Sequence, residues 1–290
     1  LNGNVFFYNY KNYQISEIVD RTAINSNFDA TVRGAELEST WEPMPGLQFN
    51  FSGGYESTRL ANGSKAVDLM DRTAGHAGWI VMKPDITQAS NCVIPIYVAL
   101  ARGSCSGYAQ GVDPVTNLPY VPYPTKAKSQ NGTVGPFGDG TYPGFDVLDP
   151  NAPNNGAGPV PNNGTGFDKD LSGNKLPNAP PFTVSVGAQY TIPLSSDWAG
   201  TLRTDYYWQD YSWARVFNDD PYDRLRGYTN VNLTLILTSQ GGWQVMLYDK
   251  NVFNTTDVTG AFLNSDDSGL TTNVFLTDPK LLGIRVTKNW

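Results

Sequence analysis

The sequence contains few of the residues on which most enzymes depend. Its 290 residues include a single histidine, His76, and only 16% charged residues. A metal site built on a pair of histidines therefore cannot form within this chain, and neither can a site that needs a second catalytic histidine. No serine stands in a nucleophile-elbow context that would make His76 the base of a triad. We therefore expect no catalytic residues, no metal site and no cofactor.

A basic surface and a long apolar run are missing as well. The formal net charge is −7 and the pI is near 4.7, which argues against nucleic acid as a partner, because phosphate binding needs a concentrated basic patch. The longest uncharged apolar run, at 92–101, is interrupted by Pro95 and is far shorter than the roughly 20 residues of a membrane helix. If the chain crosses a bilayer, it must do so as a closed barrel, in which every backbone group is paired.

Aromatic residues and poor helix formers are abundant instead. The chain contains 7 Trp, 16 Tyr and 13 Phe beside 29 Gly and 20 Pro. Aromatic side chains favour strands, whereas glycine and proline are the weakest helix formers. This composition predicts an all-β protein.

Eight segments have the composition of strands, and most of them alternate between apolar and polar residues. The two segments at 3–14 and 243–253 keep this composition but lose the alternation, which a bulge or a partly wet strand end would explain. The eight segments are 3–14, 30–41, 47–55, 182–192, 202–209, 230–237, 243–253 and 281–290.

The connections between these segments alternate in length. Short turns at 41–47, 192–201 and 238–243 alternate with long connections at 15–29, 58–180, 212–227 and 254–280. This order is typical of an up-and-down outer-membrane barrel with tight periplasmic turns and long extracellular loops. Aromatic residues gather at segment ends, as interfacial girdles require: Trp41, Tyr55, Tyr190, Trp208, Trp243 and Trp290.

A soluble β-sandwich would explain the alternation equally well, because each of its sheets also buries one face. It explains less well why the polar faces consist of Asn, Gln, Ser and Thr, and why the connections sort by length. We therefore expect a transmembrane barrel whose last strand ends in the periplasm.

Several motifs occur in an order that resembles a known family. They lie at 30–38, 45–47, 53–55, 173–180, 228–233, 243–254 and 279–290. Together these stretches resemble the C-terminal part of the barrel of a TonB-dependent outer-membrane receptor. The resemblance implies a single domain over 1–290, an antiparallel up-and-down barrel of which about eight strands form the C-terminal portion of a 22-strand barrel. The N-terminal plug and the first strands are then expected to be absent from this chain.

The resemblance also implies a function and partners. Such a receptor takes up a scarce ligand, for example a ferric siderophore, across the outer membrane of a Gram-negative bacterium. Its expected partners are the TonB complex, reached through the absent N-terminal part, the barrel assembly machinery, outer-membrane lipid and lipopolysaccharide. The closing strand resembles an assembly signal with apolar residues at alternate positions, from which Lys288 departs: Leu282, Ile284, Val286 and Trp290.

A different function remains open at this point. Eight strands are also enough for a small closed barrel that acts as a membrane anchor or adhesin. Hydrogen bonds between the first and the last strand would indicate the small barrel, whereas open edges would indicate the receptor.

The connection at 58–180 is the expected ligand-binding region, because loops on a rigid scaffold usually carry binding function. Its aromatic side chains suit stacking on a sugar ring or on a catechol-like or haem-like face. The alternative is an ordered lid without ligand contact. The candidate ligand-binding residues are Tyr97, Tyr108, Tyr120, Tyr123, Tyr142 and Phe145. The residues expected to face the lumen and the plug are Glu36, Glu38, Arg203 and Asp205.

Two further features of the same region have competing interpretations. Cys92 and Cys105 are spaced for a local disulfide in an oxidising compartment, although two free thiols are the alternative. The stretch 168–173 imitates the start of a calcium loop, but Ala179 occupies its twelfth position where a bidentate Glu is needed. A turn that leads into the next strand is the simpler interpretation of that stretch.

Overall fold

The computed structural model describes residues 1–19, 22–83, 91–96, 99, 162, 165–264 and 269–290. The described part of the chain is built of strands and their connections, and it contains no helix that is long and apolar enough to cross a membrane. The strands are numbered in chain order.

Eight strands form one antiparallel sheet in the order β1-β2-β3-β8-β9-β12-β13-β16. They are β1 (Asn2–Val19), β2 (Thr22–Met44), β3 (Leu47–Leu60), β8 (Phe182–Pro193), β9 (Trp198–Gln209), β12 (Tyr228–Ser239), β13 (Trp243–Lys250) and β16 (Leu281–Lys288). Each of the eight predicted segments is a strand of this sheet. Eight shorter strands lie in the connections and pair two by two: β4 (Lys65–Val67) with β7 (Asp168–Asp170), β5 (Trp79–Met82) with β6 (Cys92–Pro95), β10 (Ser212–Trp213) with β11 (Arg224–Leu225), and β14 (Val258–Leu263) with β15 (Thr272–Leu276).

The register of the sheet keeps apolar and polar side chains on opposite faces. Leu47 lies opposite Tyr190 and Phe51 opposite Val186, whereas polar Ser52 lies opposite Ser185. The apolar outer face is uncovered, with Leu202 exposed by 59% and Ile284 by 65%. A soluble sandwich would cover such a face with a second sheet, so the structure favours the barrel interpretation.

The sheet has two open edges. β1 pairs with β2, β16 pairs with β13, and within the described residues no ladder joins β1 to β16. The eight strands therefore form an arc of a barrel and not a closed one. The alternative of a small closed eight-stranded barrel is wrong.

A bulge explains why the alternation is lost in the first segment. The register of β1 against β2 shifts between Tyr10 and Tyr13, where Asn12 adopts a left-handed φ of 56°. Asp29 holds the bulge by accepting hydrogen bonds from Lys11 Nζ at 2.6 Å and from the Asn12 amide at 3.1 Å. Before the bulge the even-numbered residues of β1 point to the inner face of the sheet. After the bulge the odd-numbered residues do so. The blurred segment 243–253 has a simpler cause, because β13 ends at Lys250.

The predicted loop at 15–29 is wrong. β1 continues to Val19 and β2 starts at Thr22, so this region is the far end of a long hairpin. Its Asn and Ser residues indicate a loop when read locally, but they pair across the two strands, as in the hydrogen bond from Ser16 Oγ to Asn25 Oδ1 at 2.5 Å. Cross-strand pairing of polar side chains thus overrides their turn propensity.

A hydrophobic cluster fills the inner side of the sheet at the end where the long connections lie. Sheet residues and residues of the connections after β3 and β9 contribute to it equally: Phe28, Ala30, Val32 and Leu60 from the sheet, and Leu171, Leu176, Val216 and Phe217 from the connections. The buried Leu176 amide also donates to Thr58 Oγ1 at 2.9 Å. The connections are therefore packed onto the inner wall as a layer, which we call the loop layer.

Two of the motifs fold onto each other at the end of the chain. Asn251 is almost fully buried, and its Nδ2 donates to the carbonyls of Thr255 at 2.8 Å and Asp278 at 2.9 Å. The amide of Lys280 donates to Asn254 Oδ1 at 3.0 Å. These bonds hold the start of β16 beside the end of β13, which is why asparagines at these two positions support the last strand.

Candidate functional site

The inner face of the sheet forms a concave groove of about 530 Å³. Polar side chains from β2, β3, β8, β9 and β12 line it, including Glu38, Asn50, Ser185, Arg203, Asp205 and Asn232. Inner-face positions follow from the two-residue period of each strand. The groove is therefore the polar counterpart of the apolar outer face.

An ion pair lies in the middle of this groove. Arg203 Nε donates to Asp205 Oδ2 at 2.9 Å, a second contact joins Arg203 Nη2 to Asp205 Oδ1, and Arg203 Nη1 donates to Gln189 Oε1 at 3.1 Å. Gly187 leaves the space for it, since a Cβ there would lie 3.0 Å from Arg203 Nη2. The guanidinium is thus held in a fixed orientation in the wall.

The predicted acidic residues lie on the same face. Glu38 lies opposite Ser52, and Glu36 lies one inner-face position further along β2, opposite Gly54. Among the described residues, neither carboxylate has an ion-pair partner. Both carboxylates are available to a group inside the barrel, although contact with a plug stays a prediction.

Aromatic rings continue along the inner face of β1. Phe6, Tyr8, Tyr10 and Tyr13 follow one another with centroid separations of 5.4, 6.0 and 6.1 Å. Phe6 and Tyr13 pack against the hydrophobic cluster, whereas Tyr8 and Tyr10 are exposed. The sequence analysis did not predict this ladder, because the bulge interrupts the alternation of β1. The two-residue spacing of the aromatic residues 6, 8 and 10 could have indicated it. The ladder leads from the inner wall to the loop layer.

A buried ion-pair network holds the loop layer together. Arg215 contacts Asp68 at 2.6 Å and Asp223 at 2.6 Å, and Lys169 contacts Asp219 at 2.9 Å and Asp68 at 3.4 Å. Burial acts to raise the pKa of Asp68, but its hydrogen bonds and attraction to Arg215 outweigh burial and lower it. The network joins the β3–β8 connection to the β9–β12 connection.

Glu17 of β1 lies beside this network. A cavity of about 100 Å³ separates β1 from the connections, and Glu17, Leu69, Arg215 and Phe262 are among its lining residues. Glu17 Oε1 and Arg215 Nη2 are both buried, and neither has a hydrogen-bond partner in the part of the chain that the structure describes. Burial, helped by the charge of Asp68 and opposed by Arg215, raises the pKa of Glu17 from 4.5 to about 7.

The base of the long β3–β8 connection is also ordered by aromatic contacts. The His76 ring stacks on Phe167 at 3.9 Å, and Trp79 meets Phe167 edge-on at 5.0 Å. His76 is thus packed in the connection. Asp168 pairs with Lys65 at 2.9 Å and Asp170 accepts from the Ser172 amide at 2.9 Å, an arrangement that fits the turn interpretation of 168–173.

The candidate ligand-binding residues lie outside the described residues. This holds for Tyr97, Tyr108, Tyr120, Tyr123, Tyr142 and Phe145, so their role stays a prediction. Cys92 is disulfide-bonded. Cys105, the other cysteine of the chain, also lies outside the described residues, and its pairing with Cys92 stays a prediction.

The closing strand turns its apolar residues outward. Leu282, Ile284, Val286 and Trp290 are all exposed on the outer side. Lys288, which departs from the alternation, lies opposite Trp243, and its Nζ lies 5.2 Å from the Trp243 ring and 5.4 Å from the Trp290 ring. Its ammonium group also contacts the Gly241 carbonyl. The charge is therefore accommodated by cation–π contacts at the rim of the apolar belt.

These features define the class of fold: an open arc of a large up-and-down barrel, apolar outside and polar inside. Comparison with protein-family models finds no match, and comparison with curated proteins finds none either. Solved structures do match. The ferric yersiniabactin uptake receptor FyuA from Yersinia pestis is 13% identical over 98% of this chain and 26% of its own, with a TM-score of 0.52.

A second structure, the siderophore receptor PiuA from Acinetobacter baumannii, is 10% identical over 98% of this chain and 25% of its own, with a TM-score of 0.48. The chain thus spans about a quarter of the length of these structures. It has the fold of part of the barrel of a TonB-dependent outer-membrane receptor, which confirms the resemblance read from its motifs.

Proposed function

We propose that this chain forms part of the barrel of an outer-membrane receptor that imports a scarce ligand, such as a ferric siderophore, with energy delivered through the TonB complex. The observation that carries the proposal is the two-faced sheet with open edges: an apolar outer face suits lipid, and a polar inner wall suits an enclosed lumen. The fold shared with a ferric yersiniabactin receptor supports the kind of ligand. The open edges of β1 and β16 then pair with further strands of the same receptor.

The ligand is expected to enter from the loop layer. Tyr97, Tyr108, Tyr120, Tyr123, Tyr142 and Phe145 are the proposed contacts in the long connection, and the exposed Tyr8 and Tyr10 extend an aromatic surface down the inner wall. Aromatic rings offer flat faces to a catechol, a haem or a sugar ring. Below them, Glu36, Glu38, Arg203 and Asp205 are proposed to pack against a plug inside the barrel.

The remaining partners follow from the same proposal. The outer face would contact outer-membrane lipid and lipopolysaccharide, and the closing strand with Leu282, Ile284, Val286 and Trp290 would be recognised by the barrel assembly machinery. The receptor would reside in the outer membrane of a Gram-negative bacterium. Fractionation of membranes from cells that carry the intact receptor tests this location directly.

Growth of a deletion strain tests the transport function. The strain is supplied in turn with individual siderophores, haem, cobalamin and oligosaccharides, and loss of growth on one of them identifies the ligand. Restoring the intact receptor with Tyr8→Ala and Tyr10→Ala should reduce uptake. The matched control is Tyr190→Ala, which removes an exposed tyrosine from the outer face. Unchanged growth on every iron source would contradict an iron ligand and point to a sugar.

A further inference from the structure

The far end of the β1–β2 hairpin stands clear of the rest of the sheet. β3 pairs with β2 only from Ala30 onward, so among the described residues 13–19 of β1 and 22–29 of β2 pair with each other alone. We call these two stretches the hairpin end. The bulge at Asn12 lies at its base, and a bulge bends the strand that carries it. The hairpin end is therefore joined to the sheet by one pair of strands and can move as a unit.

The inner side of the hairpin end rests on the loop layer. Ile15 packs against the hydrophobic cluster, and Glu17 follows on the same face, two positions further along β1. The cavity beneath them is lined by the hairpin end and by all three long connections: Leu69 comes from the β3–β8 connection, Arg215 from the β9–β12 connection and Phe262 from the β13–β16 connection. The hairpin end thus covers the place where the connections meet above the inner wall.

The charged groups around Glu17 already include more carboxylates than cations. The β13–β16 connection contributes only apolar residues, 261–263, to the cavity lining, and the cross-strand neighbour of Glu17 is Ile24. The charged groups of the described residues here are Asp68, Asp71 and Lys169 from the β3–β8 connection, and Arg215, Asp219 and Asp223 from the β9–β12 connection. An ionised Glu17 would add one more carboxylate to this set.

Arg215 offsets only part of the charge of an ionised Glu17. Its Nε donates to Asp223 Oδ1 and its Nη1 to Asp68 Oδ1, both at 2.6 Å, whereas Glu17 Oε1 has no hydrogen-bond partner among the described residues. Burial, helped by Asp68 and opposed by Arg215, raises the pKa of Glu17 to about 7. Water would solvate the same charge fully once the hairpin end lifts away from the loop layer. Ionisation of Glu17 therefore favours the lifted position.

We propose that the hairpin end is a proton-operated flap: a neutral Glu17 keeps it seated on the loop layer, and an ionised Glu17 lets it lift at the bulge. The flap is seated in acid and lifts increasingly as the pH rises to neutral and above. A seated flap joins the three connections into one cover over the inner wall, and a lifted flap opens that cover. Control of ligand entry by the flap rests on the proposed transport function.

Distances between two spin labels on the intact receptor in bilayers test the flap without any ligand. Ala23→Cys on the exposed side of the hairpin end and Tyr222→Cys in the β9–β12 connection, also exposed, carry the labels. The ratio of long to short distances should rise by about tenfold or more from pH 5 to pH 8, because the seated position binds the proton more tightly. With Glu17→Gln added, the distances should stay short at both pH values.

The matched control is Glu56→Gln, which removes a carboxyl from the inner face of β3, opposite Gly34 and outside the cavity lining. This variant should keep the pH response. A reference pair of labels at Tyr222→Cys and Ser196→Cys, an exposed position in the β8–β9 turn, should give the same distance at pH 5 and pH 8.

Three results would overturn the flap: a pH response that persists in Glu17→Gln, distances that stay short at pH 8 without that substitution, or a reference distance that changes with pH. Since no ligand takes part, the flap and the transport function are judged separately. A flap that responds to pH in a receptor that supports growth on no supplied ligand would count against transport alone. Normal uptake by a receptor whose flap does not respond would count against the flap alone.

Discussion

Replacing Glu17 with glutamine should remove a pH dependence from the packing of the β1–β2 hairpin on the loop layer. The Glu17 carboxyl lies in a cavity beside Arg215, its Oε1 has no hydrogen-bond partner among the described residues, and burial raises its pKa from 4.5 to about 7. Once the hairpin end lifts into solvent, the carboxyl regains its ordinary pKa. The packed state therefore binds the proton more tightly than the lifted state.

The sign and size of the effect follow from this difference in pKa. Below about pH 4.5 Glu17 is protonated in both states and the packing is at full strength. Between pH 4.5 and about 7 only the lifted state ionises, so packing weakens as the pH rises and then levels off. The shift corresponds to an upper limit of about 3 kcal/mol. Screening by water at the partly exposed side chain reduces that value.

Hydrogen exchange of the intact receptor in bilayers measures this directly. The amides of residues 13–17 and 24–28, which pair across the hairpin, should be less protected at pH 8 than at pH 5 after correction for the intrinsic rate. In Glu17→Gln the protection of these amides at pH 8 should equal their protection at pH 5. Gln14→Glu, at an exposed position of the same strand, serves as the control. An equal pH dependence in the wild type and in Glu17→Gln would refute the reasoning.

Three further changes test the rest of the structure. Arg215→Gln leaves the buried Asp223 without its cation and the buried Asp68 with Lys169 alone, and it should destabilise the receptor by about 3 to 5 kcal/mol in urea unfolding. Arg224→Gln, which breaks the exposed pair with Asp220 at 3.3 Å, should cost at most about 1 kcal/mol. Asn251→Ala removes the bonds between the end of β13 and the start of β16 and should lower stability by roughly 1 to 3 kcal/mol, seen as earlier loss of the folded band on heating in detergent. Gly187→Val should push Arg203 out of its pairing and cost about 1 to 3 kcal/mol, and no change in unfolding would mean that the inner wall tolerates a side chain there.

Much of the sheet was predictable because the face of a strand residue is a local property. Strand-like composition identified all eight strands of the main sheet. The two-residue period, present in six of them, placed Glu36, Glu38, Arg203 and Asp205 on the inner face before any register was known. The same reasoning failed where the period breaks. The bulge at Asn12 interrupts the alternation, so the aromatic ladder was not predicted. The polar residues at 15–29, which pair across β1 and β2, were predicted as a loop.

The sequence by itself determined the class of the fold, the order of its strands and the division into an apolar and a polar face, since these depend on neighbours along the chain. Only the tertiary structure decided that the edges are open, that Arg215 meets Asp68 147 positions away, and that Glu17 is enclosed by segments distant in sequence. Such contacts depend on how the connections pack over the sheet. This packing depends on the complementary shape and charge of residues that are far apart in the sequence. A pattern of neighbouring residues therefore cannot predict it.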